Sequence, residues 1–215
     1  MSDKPSSGPA PDALDLAALM CSRVCHDLIN PVGAIVNGLE VLDSSDKADD
    51  KEFALDLIRK SAKSTSARLQ FCRIAYGAAG SAGAQIDLGE AQKMARGHLE
   101  DDKIKLTWNL PHLLVAKNRV KLLLNMLVIA HQAIPRGGKL TVDPVGEGDA
   151  MSFRVKAAGS NAKEPLNVAD QLNLANAGSV SAHAVQPYYT ALLAQACGLK
   201  VAMTSETDAV TVTAS

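Results

Sequence analysis

ALDLAALMCSRVCHDLINPVGAIVNGLEVL, residues 13–42, decides the architecture of this chain. Along it Ala18, Cys21, Cys25, Leu28, Val32, Ile35, Leu39 and Leu42 recur at alternating spacings of three and four. That period gathers them into one stripe of an α-helix, an a/d seam of about four heptads. Asp12 and Asp15 supply a cap and negative charge at its start. Asp43-Ser44-Ser45-Asp46 and the acidic pair Asp49-Asp50 read as a polar turn. A second seam follows, Leu55, Ile58, Ala62, Thr65, Leu69, Cys72 and Tyr76, and the Gly/Ala/Ser-rich stretch after it reads as a linker.

Two long helices joined by a short turn make an antiparallel hairpin, which by itself leaves much of each seam in water. Two-fold self-association into a four-helix bundle would cover it, giving a homodimer with one His26 per chain. Packing of the hairpin on its own C-terminal domain is the alternative.

Within the first helix the string Val24-Cys25-His26-Asp27-Leu28-Ile29-Asn30-Pro31 places a histidine, an adjacent carboxylate and a proline close together. His26 follows the seam residue Cys25, so it is turned by about 100° out of the stripe and emerges on the flank. Its neighbours within two turns are Ser22, Arg23, Ile29, Asn30 and Gly33, a small polar patch with Ile29 as an apolar exception. Asp27 can accept a hydrogen bond from one ring N–H, fixing the neutral tautomer and leaving the other nitrogen as nucleophile. Pro31 has no N–H to donate to the Asp27 carbonyl, so the helix is expected to bend there. Counting along the hairpin sets Arg68 and Phe71 opposite His26, as additions to the docking surface.

The remaining composition excludes several functions. With 22 basic and 23 acidic residues, net charge -1, and 3% aromatics there is no basic stripe or stacking platform for nucleic acid. The start of the chain, Met1 to Asp12, is Ser/Pro/Gly-rich and reads as a disordered tail, not a leader. No apolar run reaches the roughly 18 residues of a membrane span, so a cytoplasmic protein is expected. Cys21, Cys25, Cys72 and Cys197 lie on apolar helical positions without a CxxC pair and read as reduced core thiols, not metal ligands. The other histidines, His98, His112, His131 and His183, are scattered and read as surface or satisfied core residues.

Past residue 85 the period changes. Alternating strands are expected at 103–108, 139–142, 152–155 and 210–212, and helices at 88–99, 120–134 and 185–196. The last-but-one helix is read as mainly core, with Leu122, Leu123, Met126 and Leu127 buried. Gly137-Gly138 reads as a turn, because no Lys-Ser/Thr follows it to make a phosphate loop. The whole is then α+β: a tail (1–12), a helical hairpin (13–77), a linker (78–85) and an α/β sandwich with one helical layer on one sheet (86–215).

His26, Asp27, Asn30 and Pro31 match, position by position, the His-Glu/Asp-x-x-Thr/Asn-Pro motif of the dimerisation and phosphotransfer domain of two-component sensor kinases. Ile29 departs from the frequent Arg or Lys. The second domain resembles the kinases' ATP-binding domain in degenerate form. Of an Asn-Leu-x-x-Asn-Ala pattern that holds magnesium, Asn125 fills the first place and Ile129 the second. The adenine-reading carboxylate is replaced by Ala157, Gly159 alone survives of its glycines, and the lid region carries Gly178 alone. From Leu14 onward the chain resembles the dimeric histidine phosphotransferases of the alphaproteobacterial cell-cycle phosphorelay. The resemblance implies that His26 accepts a phosphoryl group from the receiver domain of a CckA-like hybrid kinase and passes it to CtrA-like and CpdR-like response regulators. Asp27 orients the ring, Asn30 helps position the reacting groups, and no cofactor is expected beyond Mg²⁺ carried by the receiver. An ATP-dependent histidine kinase and a non-catalytic dimeric adaptor are the competing readings.

Overall fold

The Asp12 carboxylate opens the first helix by accepting hydrogen bonds from the Leu14 and Asp15 amides, both at 2.8 Å. From there α1 runs Ala13–Ser44 without interruption, Pro31 included, and α2 runs Ala48–Ala75. The computed structural model describes residues 10–77, 83–148, 151–174, 180–182 and 184–215. The tail up to residue 9, the linker core at 78–82, His183 and Gly178 lie outside them.

The residues of α1 that are covered within the chain coincide only in part with the seam counted from the sequence. Of the seam, Leu28, Ile35 and Leu42 are half-buried and Cys21, Cys25, Val32 and Leu39 are exposed, whereas Arg23, Val24, Asp27, Pro31 and Ala34 outside it are half-buried and Gly38 is buried. On α2, Cys72 of the seam is buried and Ile58, Thr65 and Tyr76 are half-buried, Leu55, Ala62 and Leu69 are exposed, and Ala54 and Ser61 outside it are buried. Small side chains govern this choice. A Cβ on Gly38 would come within 2.7 Å of the Ile58 side chain and 3.2 Å of the Ala54 carbonyl, so the two helices touch where they carry least bulk. Large apolar side chains are left on the outer face, and with them Cys21 and Cys25, which are not core thiols within the single chain.

The alternative packing is also present. Leu16, Leu19 and Met20 of α1 pack against Val180, Val185 and Tyr188, and Phe71, Ile74 and Ala75 of α2 join the main core. The hairpin is therefore seated on the C-terminal domain by one end of each helix.

That domain continues with β1 (Gln85–Asp87), α3 (Leu88–Leu99), β2 (Ile104–Trp108), β3 (Leu114–Ala116) and α4 (Lys117–Gln132). It closes with β4 (Gly138–Val145), β5 (Ser152–Ala158), α5 (Val168–Leu172), α6 (Val185–Ala196), β6 (Val201–Glu206) and β7 (Ala209–Ala214). The main sheet has the order β2-β4-β5-β7-β6, with β2 parallel to β4 and the other pairs antiparallel. A two-stranded ribbon, β1 with β3, stands apart. The turn before β4 uses positive φ at both Gly137 and Gly138, and a Cβ on Gly137 would sit 2.8 Å from the Lys103 carbonyl.

Every residue of α4 from Val120 to Ala130 is buried, so this helix is covered on all sides. The sheet lies under it and α2, α3 and α6 surround it. Among the described residues no helix is long and apolar enough to cross a membrane.

Candidate functional site

His26 projects from the middle of α1 with 64% of its side chain exposed. Nδ1 lies 3.5 Å from Oδ1 of Asp27, whose own side chain is 20% exposed. The other carboxylate oxygen, Oδ2, accepts a hydrogen bond from Nε of Arg23 at 3.0 Å, one helical turn back. Arg23 thus holds Asp27, and Asp27 faces the ring. At 3.5 Å the last contact is longer than a mature hydrogen bond, as is common for such groups before a partner arrives.

The other residues expected around His26 divide between two surfaces. Ser22, Ile29 and Asn30 are exposed beside it, and Gly33 opens the patch further, since a Cβ there would meet nothing within 4 Å. Arg23, Arg68 and Phe71 turn the other way. They line a cleft of about 260 Å³ between the hairpin and the C-terminal domain, together with Asp27, His98 and His131. Phe71, expected on the docking surface, is buried with its ring centroid 4.3 Å from that of His98. Arg68 is half-buried, and its Nη1 donates to the Asp27 carbonyl at 3.2 Å.

The cleft histidines had no signal in the sequence, because only tertiary packing brings α3 and α4 beside Asp27. His98 is not a satisfied core residue. Its Nδ1 is buried with no hydrogen-bond partner among the described residues, and burial, aided by the nearby Arg68, pushes its pKa down to about 4. Burial also lowers His131. Cys72, on the same wall, is raised to about 11 by burial and stays a thiol.

Residues 88–209 match the histidine phosphotransferase C-terminal domain family. The chain is 48% identical over 192 residues to the protein phosphotransferase ChpT of Brucella abortus strain 2308, covering 89% of this chain and 90% of that protein. A solved bacterial phosphotransferase superposes with a TM-score of 0.87 at 43% identity, over 98% of this chain and all of that one. The chain belongs to the histidine phosphotransferase family.

In this histidine phosphotransferase the position that the kinase resemblance gave to magnesium serves another purpose. Asn125 is fully buried, and its amide nitrogen donates to the Lys121 carbonyl at 2.9 Å and to the Ala75 carbonyl at 3.2 Å. Its side-chain oxygen accepts from Nε2 of Gln186 at 3.1 Å. Asn125 therefore joins α4 to the end of α2 and to α6. Ile129 and Ala157, which the kinase resemblance sets at the second asparagine and the adenine-reading carboxylate, are both fully buried in the core.

Proposed function

We propose that this protein is a phosphoryl shuttle in which His26 takes a phosphoryl group from one receiver aspartate and gives it to another. The observation that carries the reading is the chain Arg23–Asp27–His26, which presents an exposed imidazole whose Nδ1 side faces a held carboxylate. With the Nδ1 proton turned to Asp27, Nε2 is the neutral nucleophile. It attacks phosphorus of the aspartyl phosphate, the P–N bond forms, the P–O bond to the aspartate breaks, and the carboxylate leaves. Asp27 compensates the positive charge that the ring acquires. The reverse sequence, on the next receiver, regenerates the imidazole.

Phosphoryl transfer demands in-line placement and charge neutralisation more than covalent help. The receiver contributes its Mg²⁺ and the neutralising groups, and this chain contributes position. Ser22, Ile29, Asn30 and Gly33 form the docking patch, with Asn30 beside the reacting groups. The partners are the receiver of a CckA-like hybrid kinase and CtrA-like and CpdR-like response regulators. The outer stripe with Val32 44%, Val36 49% and Leu39 48% exposed supports a homodimer built as a four-helix bundle. Asn125, engaged in three structural hydrogen bonds, favours a shuttle over an ATP-dependent kinase.

One labelling series tests this. Purified protein is given labelled ATP alone and then a labelled, phosphorylated receiver domain. The shuttle takes label from the receiver and none from ATP, and His26→Ala takes none from either while its helical content is unchanged. Labelling of His26→Ala by the receiver rejects the reading, and labelling from ATP alone makes the protein a kinase.

A further inference from the structure

Pro31 removes one hydrogen bond from α1, and the missing bond is the one that the Asp27 carbonyl would have accepted from the residue-31 amide. A proline ring inside a helix also crowds the carbonyl four residues back. An orphaned carbonyl half-buried at the mouth of a cleft is unfavourable unless another donor reaches it. Here one does. Nη1 of Arg68, arriving from α2, donates to the Asp27 oxygen at 3.2 Å, while Nε of the same guanidinium lies 3.4 Å from Oγ of Ser64.

The C-terminal domain walls in this contact. Phe71, one turn beyond Arg68, is buried beneath His98 of α3. Burial, with the guanidinium nearby, pushes the pKa of His98 down to about 4, so its ring is neutral near pH 7, and the cleft's other guanidinium, Arg23, is engaged by the Asp27 carboxylate. Arg68, Phe71, His98 and Asp27 line one cleft.

We propose that Arg68 is a positioning residue that replaces the main-chain hydrogen bond lost at Pro31, and so fixes the turn of α1 carrying Asp27 and His26. It rests on the reading of His26 as phosphoacceptor. Arg68 acts through the Asp27 backbone and not by touching the receiver. The pair Pro31 and Arg68 is thus one device, in which the proline frees a carbonyl and the arginine binds it.

The test is a double-mutant cycle on label transfer from a phosphorylated receiver domain to the full chain. Arg68→Ala lowers the rate at saturating receiver by about tenfold, the equivalent of one charge-assisted hydrogen bond, with the half-saturating receiver concentration unchanged. Arg68→Lys, which keeps a cationic donor, recovers part of the loss. In a Pro31→Ala background the alanine amide can bond the Asp27 carbonyl, so removing Arg68 there lowers the rate by less than about twofold. An equal loss in both backgrounds, or a change confined to half-saturation, overturns the proposal in favour of plain packing or docking. Should Arg68→Ala lose helicity, the same cycle is run with Arg68→Lys. His26→Ala is measured alongside: if it still takes label, the phosphoacceptor reading has failed, whereas a silent His26→Ala with no Pro31–Arg68 coupling sinks the positioning role alone.

Discussion

The hairpin and the C-terminal domain each carry a pattern that resembles one of the sensor kinases, and place it in opposite surroundings. On α1 the pattern is complete and its histidine stands 64% exposed. In α4 Asn125 is fully buried and hydrogen-bonded within its own helix and to α2 and α6, and Ile129 of the same helix and Ala157 of β5 pack as core. The histidine proposed to meet a partner stands at the surface, whereas Asn125, in the place the kinase resemblance gave to magnesium, satisfies buried backbone groups. The difference is one of solvent access as much as of residue identity.

The largest effect that would sharpen this contrast comes from the hairpin. Asp27→Asn leaves the helix intact but no longer fixes the ring tautomer, and label transfer to His26 slows by about 100-fold, the lower range for an acid-base group. A rate within twofold of the parent removes Asp27 from the site.

In the C-terminal domain the corresponding change acts on stability. Asn125→Ala deletes three buried hydrogen bonds, taking the side-chain donor from the Ala75 carbonyl while Nε2 of Gln186 keeps the residue-125 carbonyl and Oγ1 of Thr190, and lowers the unfolding free energy by about 2–4 kcal/mol in urea titration. If stability holds and ATP labelling falls instead, Asn125 is a ligand and the contrast breaks.

Next, Val32→Glu with Val36→Glu places two charges on the outer stripe and, if that stripe forms the proposed four-helix bundle, shifts sedimentation from dimer to monomer, whereas a parent chain that sediments as a monomer removes the dimer. A dimer that persists assigns another face to association.

The smallest effect is at His98. In the unfolded chain its ring takes a proton near pH 6.5, whereas the folded ring stays neutral to about 4. The unfolded state therefore binds more protons in that window, and stability falls as pH drops from 6.5 toward 4. His98→Phe keeps the stack on Phe71 and removes the unpaired Nδ1, so its melting temperature declines less between pH 7 and pH 4. An unchanged acid slope shows that other groups carry it.

Both long helices, the mixed C-terminal domain and the core character of α4 were legible because period and length specify them. The faces were not. A heptad count registers which residues are apolar, and α1 carries two such faces, of which the one with Gly38 and Ala34 meets its own chain while the bulkier one stays outside. The short strands β1 and β3, three residues each, are too brief for any period to announce. At the site, Asp27 beside His26 and the carbonyl freed by Pro31 could be read from spacing alone. That Arg68 would turn inward to that carbonyl, and that His98 would bury Phe71, depends on how the hairpin seats on the domain.

Ala75 is the last residue of α2, and Asn125 grips its carbonyl from the centre of a helix that is itself enclosed on every side. The stalk consequently has no independent melting of its lower end while the sheet stands. Heating should dismantle both in a single calorimetric transition, and a scan resolving two would show that they are thermally uncoupled.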